Sequence, residues 1–118
     1  MPNSGFEDWL ATPRGRYLLA WEQHKFDFVV ADMFGFNAAQ IGLPGYDFLH
    51  NNRMPLRFSC ANGGSVDVVG EAAELPFASQ SLDLVVLPHV LEFSDQPHQI
   101  LREVERVLVP EGNIVIAG

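Results

Sequence analysis

The chain has 118 residues, about one domain's worth, and 47% of them are hydrophobic, so a globular core is expected. The formal net charge of −8 is uneven, with six acids and five bases in Met1 to Ser65 but nine acids and two bases in Val66 to Gly118. Such a surface repels phosphate backbones and argues against nucleic acid as a partner. No apolar run approaches a membrane span, MPNSGFEDW lacks the pattern of a signal peptide, and the chain reads as cytoplasmic. A single Cys60 cannot form an intrachain disulfide, and His24, His50 and His98 show no metal-ligand spacing.

In chain order, Phe6, Trp9 and Leu10 stand at i, i+3, i+4 and predict a short amphipathic turn of helix. Thr12 followed by Pro13 reads as a cap and first helical position. The helix that follows, about Arg14 to Val30, carries Tyr17, Leu18, Trp21, His24 or Lys25, and Phe28 along one side. That stripe is expected to pack into the core, because large rings at helical spacing mostly bury area against a sheet. Asp32 to Phe36 is a connector.

The second half is more regular. Val66 to Gly70 is a short apolar run, and Leu82 to Pro88 is a Val-rich one broken only by Asp83, as in a strand buried on both faces. Glu92 to Pro97 is a turn zone, with Ser94 and Asp95 as capping candidates ahead of Pro97. Ile100, Leu101, Val104, Val107 and Leu108 then form one apolar helix face, with Arg102, Glu103, Glu105 and Arg106 on the wet side. Val109 to Asn113 supplies breakers that stop the helix, and Asn113 to Ala117 is a further β-branched run. Strand, helix and strand in this length predict a right-handed parallel βαβ unit. Ligands in such sheets sit beyond the carboxyl ends of the strands, which nominates Glu71, Pro88 with His89, and Ala117 with Gly118.

The stretch GEAAELPFASQSLDLVVLPHVLEFSDQPHQILREVERVLVPEGNIVIAG resembles the second half of the core of class I S-adenosylmethionine-dependent methyltransferases of the small-molecule branch. That family's pattern runs G-D-A-x-x-L-P-F, then S-x-D-x-V, then a helix ending R-V-L-x-P-G-G. Two positions depart from it: Glu71 stands where Asp is usual, and Glu111 precedes Gly112 where a glycine pair is common. The resemblance implies a Rossmann-like α/β fold, a mostly parallel sheet with flanking helices. Residues 1–36 would form an amino-terminal helical segment and 37–118 the Rossmann-like core. Such enzymes often carry amino-terminal helices that cover the cofactor, so the aromatic helix has a second reading as a lid. The family sheet has seven strands, so the chain is expected to be a fragment truncated after the fifth. Asn113 to Ala117 would then be an exposed edge that invites pairing, including with a second copy.

By the same resemblance, NAAQIGL should hold the first strand and its glycine-rich loop, where the usual pattern is an acid, one residue, then G-x-G-x-G. Gln40 takes the acidic place, Gly42 matches, Pro44 falls where the second glycine belongs, and Gly45 is one position out of register. Tyr46 to Asn51 would open the next helix and Arg53 to Cys60 would hold the second strand, with no ribose-binding acid at Ser59, Cys60 or Ala61. Glu71 would accept from the adenine amino group, with backbone at Ala72 reading the ring edge. The cofactor-binding set implied is Gln40, Gly42, Gly45, Glu71, Ala72, Pro88 and His89. His89 is also a candidate general base, with a cofactor-lining or hydrogen-bonding role as the alternative. Glu92 reads as a cap or substrate-side group.

The leading expectation is methyl transfer from S-adenosylmethionine to a small molecule, which needs alignment and exclusion of water but no metal. The runner-up is a non-catalytic interaction module that kept the sheet and lost the glycine loop. A third reading is a generic nucleotide-binding α/β domain.

Overall fold

The structure, a computed structural model, describes residues 4–118. Helix α1 (Ser4–Leu10) and helix α2 (Pro13–Val30) lead into β1 (Asn37–Ile41), β2 (Leu56–Ala61) and the two-residue β3 (Val68–Val69). Strand β4 (Leu82–Pro88), a 3-10 turn at Leu91–Phe93, helix α3 (Pro97–Val107) and β5 (Leu108–Ala117) complete the chain. All neighbouring strands pair in parallel, in the order β3-β2-β1-β4-β5. This is the expected Rossmann-like sheet, with β5 on one edge.

Strand alternation divides the core. Ala38, Leu84 and Val86 face a layer built from α1, α2 and the 43–54 segment, while Ala39, Ile41, Val85 and Leu87 face α3 and the loop after β3. Strand β4 lies between β1 and β5 with most of its residues buried, as its apolar run predicts. Asp83, its one acid, accepts from the backbone N–H groups of Phe36 and Asn37 at 2.9 and 3.1 Å and fixes the entry to β1. Thr12 caps α2 by accepting from Gly15 N.

Four local expectations are corrected. Helix α2 turns Glu22, Phe26 and Val30 inward, and Tyr17, Trp21 and Phe28 are 79%, 54% and 78% exposed. The helix is apolar on several sides; the buried one packs Phe26 and Val30 into the core and pairs Glu22 with His89. Tyr46 to Asn51 forms turns instead of a helix, and the segment is tied down by side chains. Asn52, fully buried, donates to the Val30 and Met33 carbonyls at the end of α2 and accepts from Met54 N.

The 109–113 breakers end α3 but do not end the strand: β5 begins at Leu108, and a bulge opposite Leu82 to Leu84 absorbs Pro110 to Gly112 before regular pairing resumes at Asn113. Gln96 caps α3 with no side-chain bond, and Ser94, two residues earlier, accepts from Gln96 N. No helix among the described residues is long and apolar enough to cross a membrane.

Candidate functional site

The chain order of the strands reverses between β1 and β4, and in open parallel sheets the crevice at that switch is where ligands bind. Gly42 follows β1 and Val90 lies just beyond β4. They are so close that a Cβ on Gly42 would lie 2.7 Å from Val90 Cγ2. Gly42 also has φ +91°, a conformation that side chains disfavour, so the crevice floor needs glycine on two counts. Its N–H donates to the Cys60 carbonyl at 2.9 Å, which holds the loop against β2.

A cleft of about 690 Å³ opens there. Gly42 to Pro44 form its floor, Asn62 to Gly64 and Gly70 to Ala73 one side, and Val90 with Phe93 to Gln96 the other, while Glu7 reaches it from α1. Of the predicted set, Gly42, Glu71 and Ala72 therefore line one space. Gln40 and Gly45 border a separate depression of about 530 Å³ beside Arg57 and Asp67. Pro88 and His89 border neither.

Gln40 is 2% exposed and works as a brace. Its Nε2 donates to the carbonyls of Gly42, Leu43 and Tyr46 at 3.1, 3.0 and 2.8 Å, and its Oε1 accepts from Phe48 N at 2.8 Å. An amide suits this place because the turns that replace the expected helix present carbonyls that need a donor.

The loop carrying Glu71 and Ala72 is clamped by α3. Glu103 accepts from Leu75 N at 2.8 Å, Arg106 donates to the Leu75 and Phe77 carbonyls at 2.9 Å, and Gln99 reaches the Ala73 carbonyl. The Arg106 guanidinium, against some desolvation, holds the Glu103 carboxyl below its ordinary range, with help from the Leu75 amide. Burial, and secondly the nearby Glu71 charge, push the Cys60 thiol up, so Cys60 stays a neutral core side chain.

His89 is the least expected member. It is 7% exposed and sits at φ +55°, with Nε2 2.7 Å from Glu22 of α2 and Nδ1 2.6 Å from Glu92 of the 3-10 turn. Burial opposes its charge, but the hydrogen bonds and charges of Glu22 and Glu92 outweigh that and raise its pKa. The stability this cation gives is complete below the ordinary value near 6.5 and is lost as pH rises through the raised one. With both nitrogens against carboxylates, His89 joins two elements, α2 and the 3-10 turn.

A family model described as "Methyltransferase domain" matches residues 47–116, more than half of the chain. The chain belongs to this methyltransferase domain family. The methyltransferase domain is 43% identical over 58 residues to the uncharacterized protein YafS of Escherichia coli, covering 49% of this chain and 24% of YafS. One similar fold is a chain from the complex of the Haloferax volcanii Trm112 methyltransferase activator with a protein assigned as a methyltransferase. It aligns with TM-score 0.70 at 21% identity, over 94% of this chain and 58% of that one. Another is a SAM-dependent methyltransferase of Thermotoga maritima, described as a possible histamine N-methyltransferase, with TM-score 0.60, 19% identity and coverage of 86% and 57%. The methyltransferase domain thus spans about a quarter of the length of YafS and under two thirds of these two structures.

Sequence reasoning missed Glu7, Asn62 and the Phe93 to Gln96 wall. Asn62 had a signal, a polar residue just beyond β2, but the strand end was placed one residue early. Glu7 had none, since nothing local says that α1 folds back over the sheet.

Proposed function

We propose that this domain binds S-adenosylmethionine in the switch-point cleft and transfers its methyl group to a small-molecule acceptor. The observation that carries the reading is the meeting of Gly42, Glu71 and Val90 around one cleft at the carboxyl ends of parallel strands. The residues suit the cofactor: the missing Cβ at Gly42 lets backbone approach it, Glu71 offers an acceptor to an exocyclic amine, and Asn62 lies where ribose hydroxyls would need a polar partner. When bound, the cofactor supplies an electrophilic methyl carbon on a sulfonium. The chain's own contribution is to orient the pieces and exclude water, with Glu7 and Phe93 among the residues that line the cleft. Residues 4–36 act as the amino-terminal helical segment, with Glu7 at the cleft, and 37–118 as the core; residues 1–3 lie outside the described residues.

A non-catalytic module is the second reading, favoured by Pro44 in the loop and by Leu43 at φ +43°. Titration calorimetry of the full-length protein with S-adenosylhomocysteine separates the two. The enzyme reading expects saturable binding that Glu71→Ala weakens roughly tenfold, the size of one hydrogen bond to a charged group. No heat with millimolar ligand leaves the module, and an unchanged constant removes Glu71 from the site.

A protein partner also fits, supported by the exposed rings of Tyr17, Trp21 and Phe28 and by the activator complex of the Haloferax relative. Self-association through β5, where Ile114 and Ile116 are exposed on the edge, is the other route to assembly. The acidic surface disfavours nucleic acid.

A further inference from the structure

We propose that His89 is a positioning residue that, by bridging Glu22 of α2 and Glu92 of the 3-10 turn, seats the Phe93 wall of the cleft with the neighbouring Glu7 and so sets its affinity for ligand. Both ring nitrogens lie within 2.8 Å of carboxylate oxygens, and only the imidazolium has an N–H for each. A neutral ring would aim a lone pair at one carboxylate, so one partner must let go.

The two partners are unequal. The Glu22 side chain is 10% exposed and has little access to water, whereas that of Glu92 is 39% exposed and can swing into solvent. Loss of the proton therefore releases Glu92, and with it the Leu91–Phe93 turn. That turn carries Phe93 into the cleft wall. The Phe6 ring of α1 packs on both His89 and Phe93, with centroids 4.8 and 5.0 Å away, so α1 and its cleft residue Glu7 are seated by the same joint. The groups facing His89 are Glu22 from α2, Glu92 from the turn, the uncharged Phe6 from α1 and the Ala117 carbonyl from β5, which accepts from His89 N at 2.8 Å. Glu22 and Glu92 are the charges that act on the ring.

The affinity half of this inference rests on the cofactor reading above, and the seating half does not. Two measurements on the full-length protein keep them apart: amide-exchange protection of residues 5–10 and 90–96 without ligand, and the dissociation constant of S-adenosylhomocysteine, both between pH 6 and 8.5. In the parent, protection and affinity should fall together as pH rises, affinity by about fivefold, a modest coupling. Glu92→Gln alters a partly exposed side chain, so it should fold, and both quantities should become nearly independent of pH. Superimposable pH profiles of parent and variant overturn the inference. Absence of ligand heat at pH 6 with both segments protected overturns the cofactor reading instead, and the exchange profile alone then decides the seating.

Discussion

Gln40→Glu should be the most damaging small change in the chain, lowering stability by about 3–5 kcal/mol, the usual cost of a buried charge without a partner. The substitution restores the acid that the glycine-loop pattern favours, so resemblance alone would call it benign. The structure says otherwise. Three carbonyl oxygens lie 2.8 to 3.1 Å from the amide nitrogen of Gln40, and a carboxylate there would face them without a donor. Since small domains are stable by only about 5–15 kcal/mol, thermal unfolding followed by circular dichroism should show a large drop or no folded baseline. A midpoint within a degree or two of the parent would mean that the brace is not needed.

The second large effect is expected at Gly42. Gly42→Val puts a β-branched residue at φ +91°, which costs about 2 kcal/mol in backbone strain. It also drives a Cβ against Val90 Cγ2, 2.7 Å away, where the floor of the cleft has no slack. Ligand affinity should fall more than the backbone term explains, by at least about tenfold, since the new side chain would occupy the space that backbone contacts to the proposed cofactor require. Calorimetry on the variant at a temperature where it stays folded checks this. Full affinity in a folded Gly42→Val protein would move the ligand elsewhere.

The sequence alone put Gly42 at the sheet edge, where it lines the cleft, but gave no sign of the bracing bonds of Gln40. The βαβ unit was legible because its signals are local: Leu82 to Pro88 is an apolar run of strand length, and α3 repeats its apolar face at helical spacing. The switch-point cleft followed from topology, since parallel strands place Gly42 and Glu71 at the same edge of the sheet. What failed depends on contacts between distant residues. Helix α2 has apolar residues on several sides, and the buried one meets distant partners: the core cluster around Phe26 and Val30, and His89, 67 positions from Glu22. The Tyr46 to Asn51 segment has no periodicity that excludes a helix, and Gln40 and Asn52 stabilise its turns by bonds no local pattern announces. The partners of His89 were also out of reach of local reading, since the carboxylates against its two nitrogens come from α2 and the 3-10 turn.

The central claim is that the ligand site is the cleft at the β1 to β4 switch. The most direct test is an amide-resolved NMR titration of isotopically labelled protein with S-adenosylhomocysteine. Shifts concentrated at Gly42, Asn62, Glu71, Ala72 and Val90 are the predicted result. Saturable shifts confined to Asp47, Arg57 and Asp67, around the other depression, would contradict it.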